Sequence, residues 1–335
     1  MPFDEKSLSE AYGIGGVLGR DELFDGHYHR SWKVTTETGA YALKQMRPPV
    51  ARVETKLAMA WAMADRGLPV PRPRRAAHGR YVWIDGDSEH YLVEWAEGEH
   101  RRAGTLTLSQ AESYGAAMAG LHREMDAGFL DAGSLGRYRR SPIAVEDALA
   151  QLDRFAGVID AKDVADDFDA LAREVIGRKR ELLHRFASHR PVAPARREEG
   201  LLHGDFLSQN LLWQGDRVAA VIDWDRLQYG PVSHEVARTC TVDFGMNSPG
   251  DRLDLDSVTA FVRGYHSVRP LDPEDLAFAV AHEWWEGLTH FWMLVFHFDR
   301  AKYDCDLFFA PEARFCDWWC ENLEAVQEAF ADGIA

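Results

Sequence analysis

Residues 201–213 read LLHGDFLSQNLLW, an apolar stretch that is interrupted by His203, Asp205 and Asn210. A buried strand does not accommodate several polar side chains, and a solvated loop does not need leucines on both sides. Apolar flanks around a polar centre are typical of a loop that a hydrophobic core holds in place. Loops of this kind often carry catalytic residues. The stretch therefore predicts a rigid functional loop.

A second polar residue cluster follows at once. After a turn at residues 214–216, the sequence VAAVIDWD predicts a short buried strand, residues 218–222, that ends in Asp223. This hairpin would bring Asp205, Asn210 and Asp223 to neighbouring strand ends. Carboxylate and amide oxygens are hard ligands that suit Mg²⁺, which keeps phosphate and water ligands as well. Each residue alone is equally typical of a turn or a strand end, but their joint spacing favours a metal site.

The composition of the whole chain is that of a globular protein with a sizeable core. It has 335 residues, of which 46% are hydrophobic and 27% charged, and this length leaves room for two lobes. A net charge of −16 argues against a nucleic-acid partner, because phosphates need a basic surface. The acidic surface is usually only a solvated face, although it could also attract a cationic small molecule.

The sequence also predicts the location of the protein. The N-terminus has no basic start followed by an apolar run, and no apolar stretch is long enough to span a membrane. The four cysteines lack the spacing of a metal site and are interpreted as buried thiols. We therefore expect a cytoplasmic protein with no membrane partner, and the oligomeric state stays open.

Local patterns divide the chain into a strand-rich and a helical part. The sequences of residues 30–46 and 80–95 each predict a β-hairpin, and residues 52–67 between them predict a helix that ends at a glycine. The rest of the chain carries mainly amphipathic helical patterns. The predicted fold class is α+β, with a small antiparallel-sheet lobe of residues 1–94 and a larger, mainly helical lobe of residues 95–335.

The polar motifs together resemble those of a known enzyme family. His203-Gly204-Asp205 with Asn210, followed by Ile222-Asp223-Trp224-Asp225, is similar to the aminoglycoside phosphotransferase and choline kinase group, whose members are related to protein kinases. The resemblance implies a bilobal, protein-kinase-like fold. It also implies that Asp205 receives or orients the proton of an acceptor hydroxyl, and that Asn210 and Asp223 hold Mg²⁺ against the phosphates of ATP or GTP.

The same resemblance assigns residues of the N-terminal lobe to the nucleotide. Lys44 ends an apolar strand and Glu54 lies in the next helix, which matches the family's ion pair between a strand lysine and a helix glutamate. The main chain of Glu94, Trp95 and Ala96 is expected to contact the adenine edge, because this segment should link the lobes.

The loop that should cover the phosphates departs from the kinase pattern. Protein kinases place Gly-x-Gly-x-x-Gly there, whereas this chain has only Gly26 in the corresponding stretch FDGHYHRSW. A single glycine is a weak signal. The cover could be looser, or residues 27–30 could supply side-chain contacts instead.

The acceptor site is the least determined part of the sequence. Residues 282–299 are unusually aromatic for a helix. Such stripes are more often core than binding surface. The alternative is an aromatic and acidic wall made by Trp284, Trp285, Glu286 and Asp299, which would hold a sugar ring or an amine through stacking and cation–π contacts.

The resemblance leaves several acceptor classes open. The family phosphorylates aminoglycosides and other antibiotics, choline and ethanolamine, homoserine, and sugars. We expect a hydroxylated small molecule that carries an amine, with an antibiotic or amino sugar as the first choice. A homoserine, choline, sugar or nucleoside kinase is the alternative. A pseudokinase-like regulatory module is disfavoured because Lys44, Asp205, Asn210 and Asp223 are all present. A protein kinase is disfavoured because the stretch that directly follows Asp223 contains no Ala-Pro-Glu segment.

Overall fold

The computed structural model describes residues 3–23, 30–46, 51–126, 135–138, 140–248 and 250–335. The fold is α+β, as predicted, and the chain divides into two compact units. The first unit comprises Met1–Arg101, Leu121–Tyr138 and Gly200–Gly230. The second comprises Arg102–Gly120, Arg139–Glu199 and Pro231–Ala335. This division differs from the boundary expected near residue 94, since the hairpin that carries the metal-site motif groups with the N-terminal residues.

A five-stranded antiparallel sheet forms the centre of the first unit, with strand order β1-β2-β3-β5-β4. Both predicted hairpins are confirmed, since β2 pairs with β3 around Gly39 and β4 pairs with β5 around Gly86. A short helix precedes the sheet, and the predicted helix follows β3. The element bounds are α1 Glu5–Tyr12, β1 Val17–Leu23, β2 Arg30–Thr36, β3 Gly39–Met46, α2 Val53–Asp65, β4 Val82–Asp85 and β5 Ser88–Glu94.

Two apolar clusters cover the faces of this sheet. On one side Trp32, Leu43 and Leu92 pack against residues of α1 such as Leu8. On the other side Leu57 of α2 packs with a second cluster that includes Tyr91. Because β3 is the middle strand, the clusters hold it on both faces, and Lys44 lies on it directly opposite Tyr91. The sheet therefore fixes the position of this lysine firmly.

The predicted 201–222 hairpin region is also present in the first unit. β6 spans Glu199–Leu202, and the antiparallel pair β7 Leu211–Gln214 and β8 Arg217–Val221 follows the polar loop. The leucines on both sides of that loop are buried, as their spacing predicted. β9, Gln228–Pro231, pairs with β6 in a separate two-stranded sheet.

Helices make up the second unit. Two of them, α3 and α7, touch main chain to main chain, because a Cβ on Gly115 would lie 1.9 Å from the carbonyl oxygen of Phe261 and one on Gly264 would lie 1.9 Å from that of Glu112. No helix in the described part of the chain combines the length and apolarity that a membrane span requires. The bounds are α3 Leu108–Asp126, α4 Val145–Asp160, α5 Asp167–Arg185, α6 Val232–Thr241, α7 Leu255–Val268, α8 Pro273–Thr289, α9 Trp292–Leu294, α10 Phe309–Glu321 and α11 Leu323–Asp332.

Candidate active site

The loop after β6 is fixed by the buried imidazole of His203. Its Nε2 donates to the carbonyl oxygen of Ile222 at 2.9 Å, and its Nδ1 accepts from the N–H of Asp205 at 3.3 Å. The ring also packs edge-on against Trp224, with ring centroids 4.6 Å apart. One side chain thus joins the loop to the end of β8 and sets the position of Asp205.

Glycine is required between these two residues. Gly204 has φ of +83°, a conformation that residues with a Cβ rarely adopt. A Cβ at this position would also lie only 2.2 Å from the carbonyl oxygen of Arg226. The His-Gly-Asp sequence therefore reflects both a backbone conformation and a close approach between two loops.

Asn210 holds the carboxylate of Asp205. Its Nδ2 donates to the carbonyl oxygen of Asp205 at 2.8 Å and lies 3.4 Å from Oδ2 of the same residue. The N–H of Ile222 donates to the carbonyl oxygen of Asn210 at 2.9 Å, so the asparagine is fixed from both sides. Because the amide nitrogen is used in this way, Oδ1 is the atom of Asn210 that can bind a metal.

Lys44 lies between two carboxylates that follow β8. Its Nζ is 2.7 Å from Oδ1 of Asp223 and 2.9 Å from Oδ2 of Asp225. Oδ1 of Asp225 accepts from the hydroxyl of Tyr91 at 2.9 Å, and Lys56 donates to the carbonyl oxygen of Asp225. The sheet and the β7–β8 hairpin therefore meet through one network of charged and polar groups.

The charges of this network shift the pKa values of its members. Burial alone would lower the pKa of Lys44, but the carboxylates of Asp225 and Asp223 outweigh it and raise that pKa. Burial opposes ionisation of Asp223 as well, and the Lys44 ammonium outweighs it and lowers the pKa of this carboxyl group. Both groups are consequently charged at neutral pH.

Asp223 combines this charge with an unusual backbone. Its φ of +61° lies in the left-handed region, which few residues other than glycine adopt. Such conformations cluster at functional sites, where the surrounding structure maintains them. The carboxylates of Asp205 and Asp223 and the amide oxygen of Asn210 form a donor set that fits a divalent cation with a preference for oxygen ligands.

One sequence-based expectation about this network was wrong. Glu54 does not pair with Lys44: its carboxylate accepts from the main-chain N–H groups of Tyr81 and Val82 at 3.1 and 2.9 Å, and it pairs with Arg80 at 3.3 Å. The glutamate therefore anchors the start of β4. Asp225 is the more buried of the two aspartates, since its side chain is 11% exposed, against 35% for Asp223.

The segment expected to contact the adenine lies at the end of β5, and two of its main-chain N–H groups donate hydrogen bonds within the protein. The N–H of Glu94 donates to the carbonyl oxygen of Arg72 at 2.9 Å, and that of Trp95 donates to the carbonyl oxygen of Ala40 at 3.0 Å. The Trp95 ring lies under the ammonium group of Lys33, with Nζ 4.4 Å from the ring centroid. Residues 24–29 of the predicted phosphate-covering loop, including Gly26, lie outside the described residues, and Arg30 begins β2.

The proposed acceptor wall does not have the predicted form. Trp284 and Trp285 are 2% and 0% exposed and belong to the core of the second unit, so they do not line an open wall as the alternative interpretation proposed. Trp285 Nε1 donates to the carbonyl oxygen of Ile143 at 2.9 Å, and Trp284 packs edge-on against Phe186 with ring centroids 5.3 Å apart. The core interpretation, which the sequence analysis gave as the more frequent one for such stripes, describes both residues.

The two acids of that wall are each paired with an arginine. Glu286 lies 2.8 Å from Arg140, and Asp299 receives two hydrogen bonds from Arg154 at 2.8 and 3.0 Å. This pairing neutralises carboxylates that were expected to attract a cationic acceptor.

Sequence reasoning missed three residues of the first unit that contact the proposed functional groups. Tyr91 and Lys56 bind Asp225, and Arg226 lies 3.6 Å from Oδ1 of Asp205. Asp225 itself could have been recognised from the sequence, because it is the second aspartate of the Ile-Asp-Trp-Asp motif. Nothing in the local pattern distinguishes Tyr91 or Lys56, since their roles depend on how the hairpin meets the sheet.

The sequence matches a known protein family over most of its length. The family model described as phosphotransferase enzyme family (APH) matches residues 22–271. Among curated proteins, the homoserine kinase of Methylobacillus flagellatus is 24% identical over 309 residues, covering 91% of this chain and 84% of that protein. The homoserine kinase of Methylobacterium nodulans is 26% identical over 270 residues, covering 79% and 76%.

Solved structures support the fold. Spectinomycin phosphotransferase APH(9)-Ia, in complex with ADP and spectinomycin, is similar with a TM-score of 0.67 at 14% identity, covering 97% of each chain. Amicoumacin kinase hAmiN, in complex with AMP-PNP, Ca²⁺ and Ami, has a TM-score of 0.64 at 17% identity, covering 95% of this chain and 92% of that one.

Proposed function

Because this chain belongs to the phosphotransferase enzyme family and is a small-molecule kinase, we propose that it transfers the γ-phosphate of ATP or GTP to the hydroxyl of a small acceptor that carries an amine. The observation that carries the proposal is the ion pair between Lys44 and Asp223, 179 positions apart, next to the loop that fixes Asp205. A lysine on a sheet, a carboxylate with an amide oxygen, and a second carboxylate are the groups that phosphoryl transfer requires.

In this mechanism Asp205 orients the acceptor hydroxyl and receives its proton as the oxygen attacks phosphorus. Two contacts support that role, since the amide of Asn210 holds the carboxylate of Asp205 and Nδ1 of His203 accepts from its main-chain N–H. The guanidinium group of Arg226 lies 3.6 Å from Oδ1 of Asp205, beside the position proposed for the acceptor hydroxyl.

Asn210 and Asp223 would hold the divalent cation through Oδ1 and a carboxylate oxygen, and that cation would neutralise charge on the phosphates. Lys44 would then bind the α- and β-phosphates. Asp225 keeps the ammonium group of Lys44 oriented, because it is the more buried of the two carboxylates and is itself held by Tyr91.

For the nucleotide base we propose main-chain contacts from the segment that contains Glu94, Trp95 and Ala96. Since the N–H groups of Glu94 and Trp95 already donate within the protein, Ala96 is the best candidate donor to adenine. Glu54 acts indirectly, by fixing the start of β4. The cytoplasmic location expected from the sequence agrees with the cellular supply of nucleotide.

Homoserine is the first acceptor to test. The curated relatives named homoserine kinase align over most of the chain, and homoserine contains a hydroxyl and an amine. The arginine pairing of Glu286 and Asp299 also speaks against a wall for a polycation, since each carboxylate already has a cationic partner. An amine-bearing antibiotic is the second candidate, because solved structures with this fold contain spectinomycin and amicoumacin.

The experiment is a screen for acceptor-dependent release of ADP. Purified protein with ATP and Mg²⁺ is assayed with homoserine, spectinomycin, aminoglycosides, choline and neutral sugars, and the phosphorylated product is identified by mass spectrometry. Asp205→Asn serves as the control for activity that does not depend on the site. A best acceptor without an amine would refute the acceptor class, and acceptor-dependent activity unchanged in Asp205→Asn would refute the assignment of the site.

A further inference from the structure

A group of metal-binding residue types lies in the second unit and takes no part in the proposed phosphoryl transfer. His234 lies in the first turn of α6, and His282 and Glu283 are consecutive residues of α8. One ligand atom from each residue lies within 4.8 Å of the other two. The group therefore joins two helices through polar side chains.

These side chains are buried where apolar packing would be expected. His282 is 2% exposed, and neither of its ring nitrogens has a hydrogen-bond partner among the described residues. Glu283 has a side chain that is 9% exposed, with Oε1 3.1 Å from Nδ1 of His234. Buried polar atoms without partners cost stability, so native proteins nearly always supply a partner, an ordered water or an ion.

We propose that His234, His282 and Glu283 bind one Zn²⁺ ion, which links α6 to α8. Two imidazole nitrogens and one carboxylate oxygen are ligands that Zn²⁺ takes in proteins, and a water molecule completes the tetrahedron in sites with three protein ligands. Metal–ligand distances of about 2.0–2.2 Å place tetrahedral ligand atoms roughly 3.4 Å apart. Oε1 of Glu283 and Nδ1 of His234 are already 3.1 Å apart, and binding would require the ligand atoms, now within 4.8 Å of one another, to contract to that spacing.

The ligand chemistry separates this site from the proposed magnesium site. Mg²⁺ prefers oxygen ligands and near-octahedral geometry, whereas imidazole nitrogen selects zinc and related transition metals. The zinc ligands belong to the second unit, while Asn210 and Asp223 belong to the first. The two sites can therefore be distinguished by metal and by mutation.

Nearby charges act in both directions on a bound cation. Glu286 favours a bound cation, since its negative charge lies close enough to act electrostatically on both His282 and Glu283. The positive charges of Arg140 and Arg197 act on His234 and His282 and disfavour a bound cation. Arg140 is paired with Glu286 at 2.8 Å, which limits the net effect of these two side chains on the cluster.

The test is direct metal binding to the full chain. Protein stripped with a chelator is titrated with Zn²⁺ alone, and Co²⁺ is used as a second probe because tetrahedral Co²⁺ absorbs strongly in the visible range. We expect one equivalent of Zn²⁺ that survives dialysis, a tetrahedral Co²⁺ spectrum, and a rise in melting temperature on addition of Zn²⁺.

Variants identify the ligands. His282→Gln and Glu283→Gln, checked for folding by circular dichroism, should each weaken Zn²⁺ binding at least about 100-fold, since even loss of a residue that only supports a ligand weakens metal sites 10–100-fold. The exposed histidine variant His100→Gln and the magnesium-site variant Asp223→Asn should retain the full equivalent. Wild-type protein that binds no Zn²⁺ after dialysis would overturn the proposal, as would binding that Asp223→Asn removes and His282→Gln does not.

Discussion

Asp225→Asn is the substitution that most sharply tests the network around Lys44. It keeps the shape of the side chain but removes the charge that lies 2.9 Å from the lysine Nζ. A hydrogen bond to a charged group contributes about 1.5–3 kcal/mol. Leaving a buried charge with no partner costs about 3–5 kcal/mol, but Asp223 remains as a second partner here. We therefore expect a loss of about 2–3 kcal/mol, from the charge-assisted bond alone.

The matched variant is Asp223→Asn. Its carboxylate lies 2.7 Å from the same Nζ but is 35% exposed, so water screens the pair and we expect a loss of only about 1 kcal/mol. Asp223→Asn should nevertheless cost more activity, since Asp223 is the proposed metal ligand and Asp225 only orients Lys44.

Thermal unfolding followed by circular dichroism measures the stability effect. A loss of 2–3 kcal/mol corresponds to a fall in melting temperature of roughly 4–12 °C for a domain of this size. Tyr91→Phe removes one hydrogen bond to Asp225. It forms a double-mutant cycle with Asp225→Asn, for which we expect a coupling energy of about 1 kcal/mol. Equal melting temperatures for Asp225→Asn and wild type, or a larger fall for Asp223→Asn, would refute the reasoning from burial.

Three further outcomes are expected. Asp205→Asn should lower kcat by about 10²–10⁴-fold while nucleotide affinity, measured by titration with a fluorescent ATP analogue, stays nearly constant, because the carboxylate acts on the acceptor hydroxyl. Gly204→Ala should reduce melting temperature and soluble yield, since its Cβ would lie 2.2 Å from the carbonyl oxygen of Arg226. Asp169→Asn should destabilise the protein by about 1–2 kcal/mol at pH 7, through loss of the charge in the N-terminal capping box of α5, and the difference should disappear in acid.

The pH dependence of the last variant follows from the sign of the shift. Burial would raise the pKa of Asp169, but the hydrogen bond and charge of Lys162 outweigh it and lower that pKa below the ordinary value of 3.8. A lowered folded-state pKa gives stability that is complete above pH 3.8 and is lost as the pH falls through the folded value. Urea denaturation at pH 7 and pH 3 measures it. A difference between variant and wild type that is as large at pH 3 as at pH 7 would contradict this account. Unchanged kcat for Asp205→Asn or wild-type stability for Gly204→Ala would contradict the other two expectations.

The sequence predicted the elements and motifs that depend on neighbouring residues. Both hairpins of the sheet, helix α2 and the loop from His203 to Asn210 follow from turn residues, periodicity and spacing within short segments. The fold class followed from the same patterns, and the family resemblance led from them to the kinase-like fold.

Contacts between distant segments were predicted less well. The partner of Glu54 depends on how α2 is rotated against the sheet, and a helix pattern does not determine that rotation. The burial of Asp225 depends on Tyr91 and Lys56, which approach it from other elements. On α8 apolar residues occupy more than one face, so the sequence alone could not determine whether Trp284 and Trp285 face a pocket or the core.

The contact between α3 and α7 limits how this protein can evolve. Gly115 and Gly264 each face main-chain oxygen of the other helix, so neither position has room for even a methyl group. No compensating substitution nearby can restore that space, because the obstructing atoms are present in every amino acid. Selection for new acceptors must therefore act at other positions. In a library of active variants, these two glycines should remain invariant while the exposed positions of the same helices diversify.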